Sequence, residues 1–109
     1  MQPATAAAVT SNELKKGDVL GTARFAGIQA TRTAPALLPL TSPSPYVDVT
    51  VIFEVGDAWI DVEATVEAPD GGRVETQALA AAAIASLTIY DMCKSIDHTM
   101  VVQDLGLAH

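Results

Sequence analysis

Basic residues are scarce in this chain. Six Lys and Arg stand against thirteen Asp and Glu, for a net charge of −7. Nucleic acid is held mainly through neutralised phosphates, and an anionic membrane surface attracts basic segments, so neither is an expected partner. Cysteine is scarcer still. Cys93 alone rules out an internal disulfide and fits a reducing cytoplasm. His98 and His109 are far apart, and no Cys, His and carboxylate cluster has metal-ligand spacing. There is no Ser-His-Asp signature, phosphate-binding Gly-rich loop or dinucleotide fingerprint, so no metal or cofactor is expected. The longest apolar run, Ala78 to Tyr90, stops at Asp91. It falls short of the roughly 20 residues that a membrane span needs. Residues Met1 to Thr10 lack the basic start of a signal peptide.

Apolar side chains are plentiful. Half of the 109 residues are hydrophobic, and mean hydropathy is +0.30. The length suits one domain, 1–109, whose small size leaves an unfavourable ratio of surface to volume. Surplus apolar surface on such a domain predicts burial between copies, hence a homo-oligomer.

Residues 1–11 are Ala/Thr-rich and read as irregular. A first helix is predicted from about Leu14 to Arg32, with Val19, Ala23, Ala26 and Ala30 at helical spacing. Gly21 and Gly27 weaken it, and a glycine inside a helix often admits a second backbone. Pro35, Pro39, Pro43 and Pro45 predict a loop from Ala34 to Pro45, with Thr41, Ser42 and Ser44 as turn formers. From Tyr46 to Glu67, Val47, Val49, Val51, Phe53 and Val55 alternate with Asp48, Thr50, Ile52 and Glu54, and Ile60, Val62, Ala64 and Val66 alternate with Asp61, Glu63, Thr65 and Glu67. This pattern predicts a hairpin with one buried face, turning at Gly56-Asp57. An Ala-rich helix from about Val74 to Ile96 follows, and Met100 to Leu107 read as a last strand. Helix, hairpin, helix and strand suit an α+β fold, an antiparallel sheet with two helices on one face. Trp59 falls on the polar face of the second strand, exposed or in an interface.

Three residues stand out for chemistry. Asp91 and Lys94 are spaced i, i+3 and share one helical face. A carboxylate there would keep Lys94 protonated, ready to donate a proton or bind an oxyanion. The plain alternative is a surface ion pair. Lys16 sits at a helix start, where the dipole disfavours a cation unless an anion offsets it. The plain alternative is a solvated lysine. Cys93 reads as a buried structural thiol.

Two stretches carry a resemblance: Lys16 to Ala30 (KGDVLGTARFAGIQA) and Ala85 to Lys94 (ASLTIYDMCK). In that order and separation they resemble the cyclic pyranopterin monophosphate synthase family, MoaC, of molybdenum-cofactor biosynthesis. Arg73 to Leu79 (RVETQAL) is similar to the family's Gly-Val-Glu-Met-Glu-Ala-Leu stretch. The resemblance implies ferredoxin-like subunits in hexamers, although the sequence leaves a dimer or trimer open. It also implies active sites between subunits, and a lyase or cyclase that converts a cyclised GTP intermediate and releases pyrophosphate. Lys16 and Lys94 would be the pocket lysines in acid/base roles. Asp91 would tune Lys94, and Glu75 would contact substrate. Arg24 is one of four basic residues in the matching helices and would face an anionic substrate.

The chain departs from the family pattern in three places. Ser42 replaces the histidine of a Leu-Cys-His-Pro loop, here Leu40-Thr41-Ser42-Pro43. Gln77 replaces the second glutamate. The sequence stops at His109, just before the position of the family's Lys/Gly-rich C-terminal loop, which by the resemblance would supply cations for the phosphates. These departures predict an enzyme repurposed for a different substrate, with Ser42 and Gln77 reshaping recognition. The alternatives are a genuine synthase and a non-catalytic binding or assembly subunit.

Overall fold

The computed structural model describes residues 1–43 and 47–108. Ser44, Pro45 and Tyr46, read above as turn and strand residues, lie outside the described residues, as does His109. The element order is α1 (Pro3–Thr10), α2 (Val19–Leu37), β1 (Asp48–Val55), β2 (Ile60–Glu67) and α3 (Glu75–Cys93). Three helices and an antiparallel hairpin give the expected α+β class.

The hairpin follows from side-chain alternation. Val49, Val51, Phe53 and Val55 face Val66, Ala64, Val62 and Ile60 across the ladder, so one face is apolar. The other face exposes Asp48, Glu54, Asp61, Glu63 and Glu67. Gly56 N–H donates to Trp59 O at 2.8 Å and closes the turn. Trp59 precedes β2 instead of lying on it, and its indole covers Gly56 closely enough to exclude a Cβ there.

Helices α2 and α3 pack on the apolar face and on each other. Their buried residues recur at steps of three and four, with Val19, Ala23, Gly27, Ala30 and Ala34 on α2. On α3 they are Gln77, Ala81, Ala85 and Ile89. Small residues on both sides let the backbones approach. A Cβ on Gly27 would lie 3.0 Å from Ala81 O and 3.3 Å from Ala85 Cβ. The backbone of α3 could yield only by moving a packed helix, so the contact requires glycine. Val19, Ala23, Val51, Ala85, Ile89, Met92 and Cys93 form the core with Val9.

Four boundaries differ from expectation. Residues Pro3–Thr10 are helical, not irregular. Pro3 is preset for a first turn, alanines propagate it, and Thr5, Ala6 and Val9 are buried. α2 begins at Val19, later than read, because Asp18 caps it, its Oδ1 accepting from Gly21 N–H at 3.0 Å. It continues through Pro35 to Leu37. Proline removes one N–H there, but only in the last turn of a helix already ending. The final strand does not form. Residues 101–108 are exposed and irregular, and Asp104 adopts φ +56°, which breaks an extended run. Among the described residues, no helix is long and apolar enough to cross a membrane.

Candidate active site

The loop between α1 and α2 delivers Lys16 to the end of α3. Gly17 makes this path possible with φ +106°, a value that suits glycine. Lys16 Nζ donates to Asp91 O at 3.2 Å. Lys94, the residue that caps α3, donates from Nζ to Asp91 Oδ1 at 2.7 Å. The two lysines therefore converge on one residue, one at its carbonyl and the other at its carboxylate. Lys16 lies in the connector, not in a helix.

Both side chains of the Asp91–Lys94 pair are more than half exposed, at 63% and 54%. A ligand can reach them, and the pair adds little to stability. The hydrogen bond from Lys94 holds the Asp91 carboxyl below the usual carboxylate range, and Lys16 nearby acts in the same direction. The same bond raises Lys94 above the usual lysine value. Lys94 thus stays protonated at neutral pH, as an anion binder or proton donor. Beside Asp91, a shallow apolar groove is lined by Ile84, Leu87, Thr88 and Tyr90. Cys93 is fully buried, and burial pushes its thiol pKa up. That is an inert structural cysteine.

A second cluster forms at the other end of α3. Ser42, Arg73, Glu75, Thr76 and Gln77 line one polar cleft together with Asp70. Three sequence-derived candidates, Ser42, Glu75 and Gln77, are thus neighbours. Ser42 and Glu75 are exposed, whereas Gln77 is only 5% exposed and presents little surface to a ligand. Arg73 was not singled out from sequence, although its place beside Glu75 at a helix start was visible there.

Arg24 belongs to neither cluster. Its Nε donates to Val51 O at 2.9 Å, and its guanidinium lies 5.4 Å from the Phe53 ring centroid. It covers part of the open edge of β1, a protective role for a strand edge.

The two clusters cannot share one small molecule within one chain. Glu75 and Asp91 lie on the same helix, about 24 Å apart at about 1.5 Å per residue. Each chain carries two separate clusters.

Known proteins resemble the chain over its whole length. A model of the MoaC family matches residues 1–109. The chain is 43% identical over 109 residues to a "Molybdenum cofactor biosynthesis bifunctional protein" of Chlorobaculum tepidum, covering 100% of the chain and 35% of that protein. It is 42% identical over 109 residues to a "Cyclic pyranopterin monophosphate synthase" of Roseiflexus castenholzii, covering 98% of the chain and 69% of the relative. A synthase of the same name from Pelobacter propionicus is 41% identical over 111 residues, covering 100% of the chain and 69% of the relative. The chain thus spans about a third of the bifunctional relative and somewhat more than two thirds of the synthases. With the match running from end to end and including both lysines that meet at Asp91, the chain belongs to the MoaC family.

Proposed function

We propose that this chain catalyses the cyclic pyranopterin monophosphate synthase reaction for which its relatives are named. The observation that carries the reading is the convergence of Lys16 and Lys94 on Asp91. Two ammonium groups beside an exposed groove suit an anionic, phosphorylated substrate, and a lysine can move a proton as well as bind charge. The comparisons lend no support to repurposing for another substrate. Ser42 and Gln77 are then substitutions within the synthase.

The separation of the two clusters supports an oligomeric reading. A substrate needs both clusters within a few ångströms, and one chain holds them at opposite ends of α3. The end of α3 with Lys94 from one copy would meet the cleft of Glu75 from another, making a homo-oligomer part of the catalyst. The surface has the apolar area such contacts use. Phe25 is 70% exposed, and Leu87 and Leu105 are 54% and 52% exposed. The single reduced, buried cysteine suits a cytoplasmic enzyme.

A bacterium lacking its own synthase tests the reading in a cell. Expression of this chain is expected to restore molybdenum-cofactor synthesis. Cells that stay cofactor-free while holding soluble chain would contradict the proposal.

A further inference from the structure

Asp97 lies just past α3 and is 2% exposed. Its Oδ2 accepts from Gln2 N–H at 2.8 Å, across 95 positions of sequence. Its Oδ1 accepts from Thr99 N–H at 2.8 Å and from Thr99 Oγ1 at 2.6 Å. Thr5, in the first turn of α1, is itself 2% exposed. Its own N–H donates to Cys93 O at 3.1 Å, which continues the last turn of α3. A buried charge is costly unless its hydrogen bonds are made. Every group named here that faces the carboxylate is a donor.

The donors place Asp97 at the start of α1. Gln2 is the N-cap of that helix, and no side chain of its own caps it. Asp97 therefore supplies from the far end of the chain the anion that a helix N-terminus favours. It clamps α1 to the same end of α3 that bears Asp91 and Lys94.

From α1 a short, bonded path leads to Lys16. Ser11 N–H donates to Ala7 O at 2.9 Å and Glu13 N–H to Ala8 O at 3.0 Å. Leu14 packs against the core, and Gly17 N–H donates to Leu14 O at 3.0 Å. Lys16 is held within this path. Moving α1 moves Lys16, whose ammonium hydrogen-bonds Asp91 O.

We propose that Asp97 is a positioning residue of the lysine cluster, fixing α1 against the end of α3 and so setting where Lys16 stands relative to Asp91 and Lys94. The assignment rests on the reading of Lys16 as an active-site group. Asp97 touches no substrate and acts through the position of α1.

The test is Asp97→Asn in the full chain, with all three lysines methylated by ¹³C-formaldehyde and read by NMR without substrate. Asparagine keeps the size but turns one acceptor into a donor, against a site of donors. The Lys16 signal is expected to move to the position of exposed Lys15, while Lys94, paired with Asp91, stays put. In turnover, kcat falls about tenfold with little change in KM, as for a slightly misplaced group. In a Lys16→Ala background the same substitution costs nothing further. An unmoved Lys16 signal, joint movement of Lys16 and Lys94, or an equal cost in the Lys16→Ala background would overturn the proposal. Thr99→Val removes one donor to the carboxylate and takes its place if Asp97→Asn does not fold, with a smaller shift of Lys16 alone expected. The lysine signals need no turnover, so an inactive chain sinks the synthase reading and still leaves this one to be decided.

Discussion

Lys94→Ala is expected to leave the chain folded and to lower kcat/KM by about 10²–10⁴-fold, the range for loss of a positioned acid or base. The fold survives because the Lys94 side chain is 54% exposed and its partner Asp91 is also exposed. Little packing is lost, and a surface ion pair contributes little. The activity falls because Lys94 and Lys16 are the two cations placed on Asp91. Lys94→Arg separates their possible tasks. Arginine keeps the charge but does not give up its proton. If Lys94 only binds an oxyanion, the arginine variant retains most of kcat; if it transfers a proton, kcat falls as it does with alanine. Asp91→Asn removes the cause of the raised Lys94 pKa. A limb that reports protonated Lys94 lies at the alkaline side of the pH profile, and this variant moves it to lower pH. A fully active Lys94→Ala protein would remove the lysine cluster from the mechanism.

Mixing two inactive variants is expected to restore activity. Glu75→Ala disables the cleft at the start of α3, and Lys94→Ala disables the cluster at its end. If each site draws one half from each of two copies, some sites in a mixed oligomer inherit both intact halves. Random assembly at equal amounts gives about a quarter of the sites. The variants are co-expressed or unfolded and refolded together, and turnover is compared with either variant alone. Activity no greater than the sum of the two would mean that the halves work within one chain. That result would be hard to reconcile with about 24 Å of helix between them.

Much of the fold was readable from the sequence, for local reasons. The hairpin announced itself because one face is buried and the other charged, which enforces alternation over both strands. α3 was visible through its alanines and its lack of breakers. α1 was hidden because an Ala/Thr run without charges has no polar face to set a period; Pro3 was the available signal. The expected strand over Met100 to Leu107 does not form, because Asp104 turns the backbone to positive φ, which no pattern of residue types in that segment announces.

The site divides along the same line. The Asp91–Lys94 pair is a consequence of helical spacing and was legible from it. The approach of Lys16 to Asp91 spans 75 positions, and only the family resemblance suggested it. Arg24 stands out in the sequence as a cation within a matching helix of an acidic chain. Its bond to Val51 O depends on how α2 lies across β1, which no local pattern encodes. Asp97-His98-Thr99 has the form of a carboxylate accepting from the residue two positions on, a common local turn. Its bond to Gln2 was not visible in any segment.

The central claim is that this chain performs the reaction of the synthases it resembles. Purified full chain given the cyclised GTP intermediate, beside one of the named synthases as control, tests it most directly. The predicted result is cyclic pyranopterin monophosphate with release of pyrophosphate, lost in Lys94→Ala. A folded, oligomeric chain that forms no product while the control turns over would contradict it.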